Sequence, residues 1–548
     1  MYLEPTTNFS FRNTNEFINY VRSENANLYI FVSRSQSWEN DNDPPPVVLS
    51  QREQYEAWDD MILLRKVQIG DIVPGVRRVP WVPGRVYDEY DDTSDLQINN
   101  FFVFTEPEHN IYICIDNNDG APSTSKPTHR SENVVEESDG YKWKYMTTIP
   151  VSLLNKFLLS DFIPLEENQE ITESAAPGAI ERLKIENSGS NYPINRTVSN
   201  GNELPIFIEG NGTQVTTARA SITTIQGSIT SISLITGGSE YFYGPGVQFP
   251  VAIRQIGSNG IVQNAYGVAT TDLNGEIDSV TVLMGGNGYQ QGEVTIVQSS
   301  AEGYAETNEN GEVINAEMRI GRSGNEFFKA TSTVVSEFGS SAVIRPIISP
   351  EGGFGVDQAK QLQAHAALIS LEIDAADVLD IISLEEFRRI GLISDPLEYS
   401  NDPLSLDGAV DSGGGVTYDS DGEIEGTSLT LNAADAKHRV VLTSSNNNFQ
   451  EDETIIGESS GTIGINTTKF KDDTLRFTID DSLVNSDDLQ FNIGEQIRGV
   501  SSGQTAIVSS FVPPDVEKYS GEIYHINNIE PIVRNNDQRI LVTFALRY

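Results

Sequence analysis

Short apolar runs broken by Gly, Pro, Asn and Asp recur along the chain, and stretches with helical period are scarce, so a mainly β protein is the first expectation. Leu28-Tyr29-Ile30-Phe31-Val32 reads as a buried strand that ends in a polar loop, Ser37 to Asp43, followed by Pro44-Pro45-Pro46, which cannot continue a ladder. Phe101 to Phe104, Ile111 to Ile115 and Tyr141 to Thr148 predict further strands, with a turn at Asn117-Asn118-Asp119-Gly120. Helical patterning is confined to a few short places. Phe17 to Val21 follows a capping Asn15, and Gln358 to Ser370 has Ala, Leu and Gln at helix-compatible spacing, with a further turn at Leu384 to Ile390. Phe387 to Asp395, closed by Pro396, predicts a strand-and-turn edge, and Gly521 to Ile526 and Ile540 to Leu546 predict the final strands.

Two internal repeats organise the middle of the chain. Gly178-Ala179-Ile180-Glu181-Arg182-Leu183-Lys184-Ile185 matches Gly227 to Leu234 and Gly275 to Val282, and a degenerate fourth copy begins Gly311-Glu312-Val313-Ile314. In the three matched copies a Gly follows at 189, 238 and 286 and a Tyr at 192, 241 and 289. Turn, strand, Gly-rich bend and aromatic plug is the implied unit, with Gly supplying positive φ and Tyr covering the bend. The second repeat pairs Phe449 to Gly461 with Phe491 to Gly503 through the pattern F-x3-E-x-I-x-G-x-S-S-G, which predicts two hairpins with Ser-Ser-Gly turns. Neither repeat carries an acid, base or ligand set that points to a reaction.

Composition sharpens this picture. At 548 residues the chain exceeds one ordinary core and predicts several domains. The 23 Phe and 20 Tyr argue for folded domains, since disordered chains lack such burial. Lys+Arg 36 against Asp+Glu 79 gives a formal charge of −43, a surface that repels phosphate backbones and disfavours nucleic-acid partners. The same charge serves solubility, and it also suits partners with basic patches or bound divalent cations. Cys114 is the single cysteine, so an intrachain disulfide or Cys-based zinc site is excluded, and its apolar setting predicts a packed thiol. Met1-Tyr2-Leu3-Glu4-Pro5 has no signal-peptide pattern and no apolar run is long enough to span a bilayer, so the expectation is a chain made and held in a reducing cytoplasm.

Candidate chemistry is sparse. The five histidines, His109, His129, His365, His438 and His525, form no HxH or HExxH pair, and neither GxSxG nor a P-loop occurs. His365 reads as a packed histidine. Asp88 to Asp92, Asp116 to Asp119 and Asp419 to Glu423 offer hard oxygen ligands, but none places Gly where a calcium loop needs it. Paired carboxylates for glycoside hydrolysis are set by the fold and leave no mark in the sequence.

Five blocks, in order, resemble the wedge proteins of the gene-eight family of T4-like contractile-tailed phages. They are Tyr29-Ile30-Phe31-Val32-Ser33-Arg34-Ser35-Gln36-Ser37-Trp38 with its prolines; Trp81 with Gly84 to Asp88; Asp139-Gly140-Tyr141-Lys142-Trp143-Lys144-Tyr145; Phe387-Arg388-Arg389-Ile390-Gly391-Leu392-Ile393-Ser394-Asp395-Pro396-Leu397-Glu398; and Ser520 to Tyr524 with Pro531-Ile532 and Ile540 to Phe544. The blocks span about half the chain, and the two repeat regions have no counterpart in the family's pattern.

The resemblance implies a multidomain chain with a discontinuous β-sandwich-like core from 1–170, 346–410 and 516–548. Two inserted β domains, 171–345 and 411–515, and a few short helices complete it. It also implies a non-enzymatic structural subunit of the tail baseplate in the virion, synthesised in the host cytoplasm. Such a subunit forms a homodimer, joins other wedge proteins and transmits conformational change during contraction. No cofactor, metal, nucleic acid, membrane or small-molecule substrate is expected. Trp38, Trp81 and Trp143 are the candidate partner-interface residues, because Trp is enriched in binding hot spots, although core packing is the commoner use of the residue. The alternatives are a glycan- or receptor-binding tail protein, which predicts exposed aromatics in a groove, and a tail-associated glycan hydrolase, which predicts two convergent carboxylates.

Overall fold

The computed structural model describes residues 7–23, 26–47, 50–93, 101–210, 214–239, 241, 246–255, 261, 263–373, 386–399, 427–443, 448–467, 473–479, 491–533 and 540–547. The protein is mainly β, with several sheets, one closed barrel and a few short helices among the described residues. Its contacts divide it into two compact units: one from 1–75, 152–164 and 365–548, the other from 76–151 and 165–364.

The first unit is built on two facing sheets. Strands Leu28–Ser33, Met61–Lys66, Glu386–Ser394 and Glu522–Val533 pair antiparallel, with Ala433–Asp435 completing a five-stranded sheet at one edge. The second sheet runs Ile540–Arg547, Ala366–Ile373, Ile72–Arg77 and Phe162–Pro164. Leu28, Ile30 and Val32 from the first sheet meet Ala367, Ile369, Leu371, Val542 and Phe544 from the second in one apolar core, a sandwich arrangement. Tyr29 and Phe31 point the other way into a second cluster with Trp58 and Ile393, which is why the strand from Leu28 to Ser33 is apolar on both faces and buried throughout.

Three local expectations are corrected. The N-terminal helix runs Thr7–Arg22, starting well before Asn15. The stretch 358–370 holds only a short helix, Gln358–Gln361, before Ala366 enters a strand. Ala366 to Leu371 are enclosed between two neighbouring strands and two apolar layers, and tertiary burial overrides the helical preference of Ala and Leu. Glu386–Ser394 is an interior strand flanked on both sides, so neither a helical turn at its start nor a sheet edge; the remainder of 384–390, at 384 and 385, lies outside the described residues.

The second repeat closes a six-stranded barrel with strands His438–Leu442, Thr474–Ile479, Ile463–Asn466, Thr454–Gly457, Gln496–Gly499 and Thr505–Val512 in that order. The two copies meet at its centre, where Ile455 opposes Gly499 and Gly457 opposes Ile497. Each copy's glutamate caps the other copy's turn. Glu495 accepts hydrogen bonds from the Ser459 and Ser460 amides at 3.1 and 2.9 Å, and Glu453 from the Ser501 and Ser502 amides at 3.2 and 2.9 Å. The spacing shared by the two copies follows from this exchange. A Cβ on Gly457 would fall 2.9 Å from Glu495 Oε2, and one on Gly499 2.5 Å from Glu453 Oε2, so only Gly admits the carboxylate.

In the second unit the four copies of the first repeat pair off reciprocally. The Tyr241 amide donates to Gly275 O at 3.3 Å while the Tyr289 amide donates to Gly227 O at 2.9 Å, joining copies two and three. Copies one and four are joined alike: Tyr192 N to Gly311 O at 3.0 Å and Phe327 N to Gly178 O at 3.1 Å. Phe327 is therefore the fourth plug, two positions later than the spacing of the other copies. The Tyr241 and Tyr289 hydroxyls span the bends, donating to Ile296 O and Ile253 O and accepting from the Ala218 and Ala265 amides.

Candidate interface site

The first and fourth family-like blocks come together in the first unit. Beyond Ser33 the backbone turns through Arg34, at φ 64°, and the Arg388 amide donates to Arg34 O at 3.0 Å. The Arg388 side chain, 3% exposed, holds the loop from inside. Its Nε and Nη2 grip the two oxygens of Asp41 at 2.9 Å each, Nη1 donates to Ser35 O at 2.6 Å, and Nη2 also reaches Glu386 at 2.6 Å. This is the bidentate fork that Lys cannot reproduce. Asp41 in turn accepts the Trp38 amide at 2.8 Å, and the Arg388 hydrogen bond holds its carboxyl below the usual range.

Trp38 is half-buried on top of this clamp. The Arg34 guanidinium lies 4.0 Å from its ring centroid and Arg389 5.7 Å, an arrangement in which each cation meets the negative face of the indole. Arg34 is also bonded to Asp60 at 3.3 Å, and Arg389, fully buried, to Asn528 at 2.9 Å and Glu53 at 3.3 Å. Burial lowers the Arg389 pKa below its ordinary value, with Asp60 and Glu53 opposing, and burial raises that of Asp60. The indole N–H donates to Ile529 O, 3.2 Å away, on the edge strand Glu522–Val533. Gln54 Nε2 reaches Ile523 O on the same strand at 3.4 Å, and Pro531 lies within it, so this sheet edge is blunted.

The other two candidate tryptophans lie in the second unit and play different roles. Trp81 is half-buried beside a cavity of about 340 Å³ lined with Pro80, Phe104, Glu106 and Lys126, and its indole donates to Ser123 Oγ at 3.1 Å. Trp143 is 0% exposed, stacked on Tyr141 at 5.5 Å and edge-on to Tyr87 at 5.8 Å. Its ring offers no surface to a partner, because the D-G-Y-x-W-x-Y block is a core strand whose Tyr141, Trp143 and Tyr145 all point into one cluster.

The acidic clusters are used in pairing. Glu89 bonds Arg182 at 2.8 Å, Asp92 bonds Arg345 at 2.7 Å, and Asp91 bonds Arg345 as well. Asp116 faces Lys142 at 3.8 Å, and 419–423 lies outside the described residues. No group of three or more metal-ligating side chains occurs among the described residues, and no helix among them is long and apolar enough to cross a membrane. Cys114 is buried, which raises its thiol pKa well above the ordinary value. His365 packs edge-on against Phe162 at 6.1 Å.

A groove of about 620 Å³ opens between the repeat copies of the second unit, with Phe338 at 62% exposure beside Asn202, Glu203 and Arg319. Arg319 bridges Glu203 and Glu302 at 2.9 Å each. Sequence reasoning singled out Trp38 but missed Asp41 and Arg388 as the pair that fixes it; their separation of several hundred residues leaves no local signal.

Taken together these features define a multidomain β protein in which the charged and aromatic groups of the Trp38 cluster hold a loop and a sheet edge in place. No family model matches the chain, and no curated protein matches it.

Proposed function

We propose that the chain is a structural subunit of a phage tail baseplate wedge that works by being held between partners, as a homodimer and against neighbouring wedge proteins, and passes on conformational change during tail contraction. The observation that supports this reading is the adjacency of three of the five family-like blocks. The blocks beginning at Tyr29, Phe387 and Ser520 become three consecutive strands of one sheet, Leu28–Ser33, Glu386–Ser394 and Glu522–Val533, and Ile540–Arg547 joins the facing sheet over the same core. A resemblance scattered by chance along the sequence has no reason to converge in space. The Arg388 clamp adds a rigid, partly exposed Trp38, the kind of preorganised aromatic that anchors interfaces.

Gold-labelled antibody against the chain, applied to purified particles, tests the reading. Label at the baseplate end supports it; label on fibre tips or capsid overturns it. A second reading, glycan or receptor binding by the repeat region, is favoured by one feature, the exposed Phe338 in the groove. Glycan-array binding that is lost in Phe338→Ala would carry that reading instead.

A further inference from the structure

An open strand edge in a folded protein is an adhesive surface, because its outward N–H and C=O groups are already aligned to pair with another strand. Among the described residues of the first unit, each sheet edge but one is short, capped or closed. Glu522–Val533 is capped by Trp38 and Gln54 and contains Pro531. Ala433–Asp435 and Phe162–Pro164 are three residues each, the latter ending in Pro164. The barrel has no edge.

The exception is Ile540–Arg547, sequence ILVTFALR. It pairs along its whole length with Ala366–Ile373 on one side, and among the described residues no strand pairs with its other side. Its two faces are both occupied. Val542 and Phe544 lie in the sandwich core with Ile540 and Leu546 packed against it, while Ala545 packs on the Phe157 cluster and the Thr543 hydroxyl donates to Lys156 O at 2.9 Å. Among the described residues the lateral edge has no strand partner, while Leu541, on the same face as Thr543 and Ala545, is 41% exposed and leaves that end of the face open. The strand lacks the devices that natural edges use: no Pro, no Lys, and no charge before Arg547.

We infer that this edge is the seam of a dimer, in which Ile540–Arg547 of one copy pairs antiparallel with the same strand of a second copy and the four-stranded sheets become one of eight. The occupant is argued from charge and pattern. Two copies that each carry −43 repel over most of their surfaces, and a stretch free of acids is where they can approach. A two-fold axis perpendicular to the sheet requires paired residues to lie on the same face. Centred on Thr543, it sets Thr543 against Thr543, Val542 against Phe544, Leu541 against Ala545 and Ile540 against Leu546. Every core-facing residue then meets a core-facing residue, and the two apolar cores run on across the seam. Arg547 falls beyond the paired segment. The inference rests on the dimer of the proposed function and names the strand that forms it.

Cysteine cross-linking in the full chain tests the register, with a clean background because Cys114 is buried. In Thr543→Cys the two introduced thiols face each other across the axis at the spacing of a directly opposed pair, roughly 4.5–5.5 Å between Cβ atoms, and mild oxidation is expected to give a covalent dimer. In Leu541→Cys the thiols are four residues apart along the seam, about 13 Å, and no cross-link is expected. Leu541→Lys, at an exposed position that leaves the fold intact, sets an ammonium diagonally beside Arg547 of the second copy, and its dimer is expected to dissociate at concentrations at least tenfold higher than the parent's. A dimer by light scattering in which Thr543→Cys fails to cross-link, or cross-links no better than Leu541→Cys, or in which Leu541→Lys is without effect, overturns the seam and leaves the scaffold reading standing. A monomer at every concentration overturns both.

Discussion

Removal of the Glu495 carboxylate probes the barrel's exchange of caps. In the folded barrel Glu495 accepts from the Ser459 amide (3.1 Å) and hydroxyl (2.9 Å), the Ser460 amide and hydroxyl (2.9 Å each) and the Asn492 amide (2.5 Å). Hydrogen bonds to a charged acceptor contribute about 1.5–3 kcal/mol each, and water can reach part of this turn, so Glu495→Ala is expected to cost roughly 2–4 kcal/mol of local stability. At about 1.36 kcal/mol per factor of ten, that is roughly 30- to 1,000-fold faster amide exchange. Hydrogen exchange is the right assay, because a chain of several units has no single unfolding free energy. The location is the decisive part. Deprotection belongs at Ser459 and Ser460, in the other copy's turn, and Glu453→Ala should deprotect Ser501 and Ser502 in the same crossed manner. The Glu495 carboxyl is pushed up by burial but held below its ordinary value by its Ser460, Ser459 and Asn492 donors. Its contribution is therefore present above the unfolded pKa of about 4.3 and is lost as pH falls through the lower folded value. Loss of protection in the 500–503 turn of Glu495→Ala, with 458–462 unchanged, would refute the crossed cap.

Arg388→Lys keeps the charge but not the fork on Asp41; with Ser35 O and Glu386 also weakened it is expected to cost roughly 3 kcal/mol and to expose the 34–43 loop to proteolysis, whereas an uncut loop would remove the clamp from the account. His438 is packed between Phe477 and Phe511 at 5.5 and 5.6 Å, and burial, with Lys518 adding to it, pulls its pKa down to about 4. The unfolded chain then binds the extra proton, so the barrel should lose up to about 3 kcal/mol as pH falls from 6.5 towards 4; Asp435, raised by burial to about 6, opposes this below pH 6, and His438→Phe should make the acid loss smaller, a difference read from melting at pH 4.5 and 7. Tyr289→Phe leaves Ile253 O and the Ala265 amide without the hydroxyl and should cost about 1–3 kcal/mol, seen as faster exchange at Ala265; unchanged exchange would count against the plug.

Strand content was legible because burial on one or both faces writes itself into apolar runs: Leu28 to Val32, Ile111 to Ile115 and Ile540 to Leu546 all became strands. The repeats were legible as spacing, but not as pairing. Gly311 announced a fourth copy, yet nothing local says that its carbonyl receives Tyr192, and the fourth plug was hidden because Phe327 replaces Tyr and arrives two residues late. The motif glutamates likewise gave no hint of crossing over, since a cap satisfied across the barrel looks in sequence like any acid before a hairpin. The stretch after His365 misled for the opposite reason: Ala and Leu carry a strong helical preference, and only the neighbouring strands explain why they lie in a sheet. Of the three candidate tryptophans, Trp38 sits in a polar loop and Trp143 in a strand between aromatic residues, a contrast the sequence already contained.

A single-particle reconstruction of the intact extended tail decides whether the protein is a scaffold held between partners. Density for this chain is expected in the baseplate wedge, in two copies related by a two-fold axis, each burying more than the roughly 1,200–2,000 Å² of a standard complex. A single copy per wedge would contradict the dimer, and a position at a fibre tip or on the capsid with small contacts would contradict the scaffold itself.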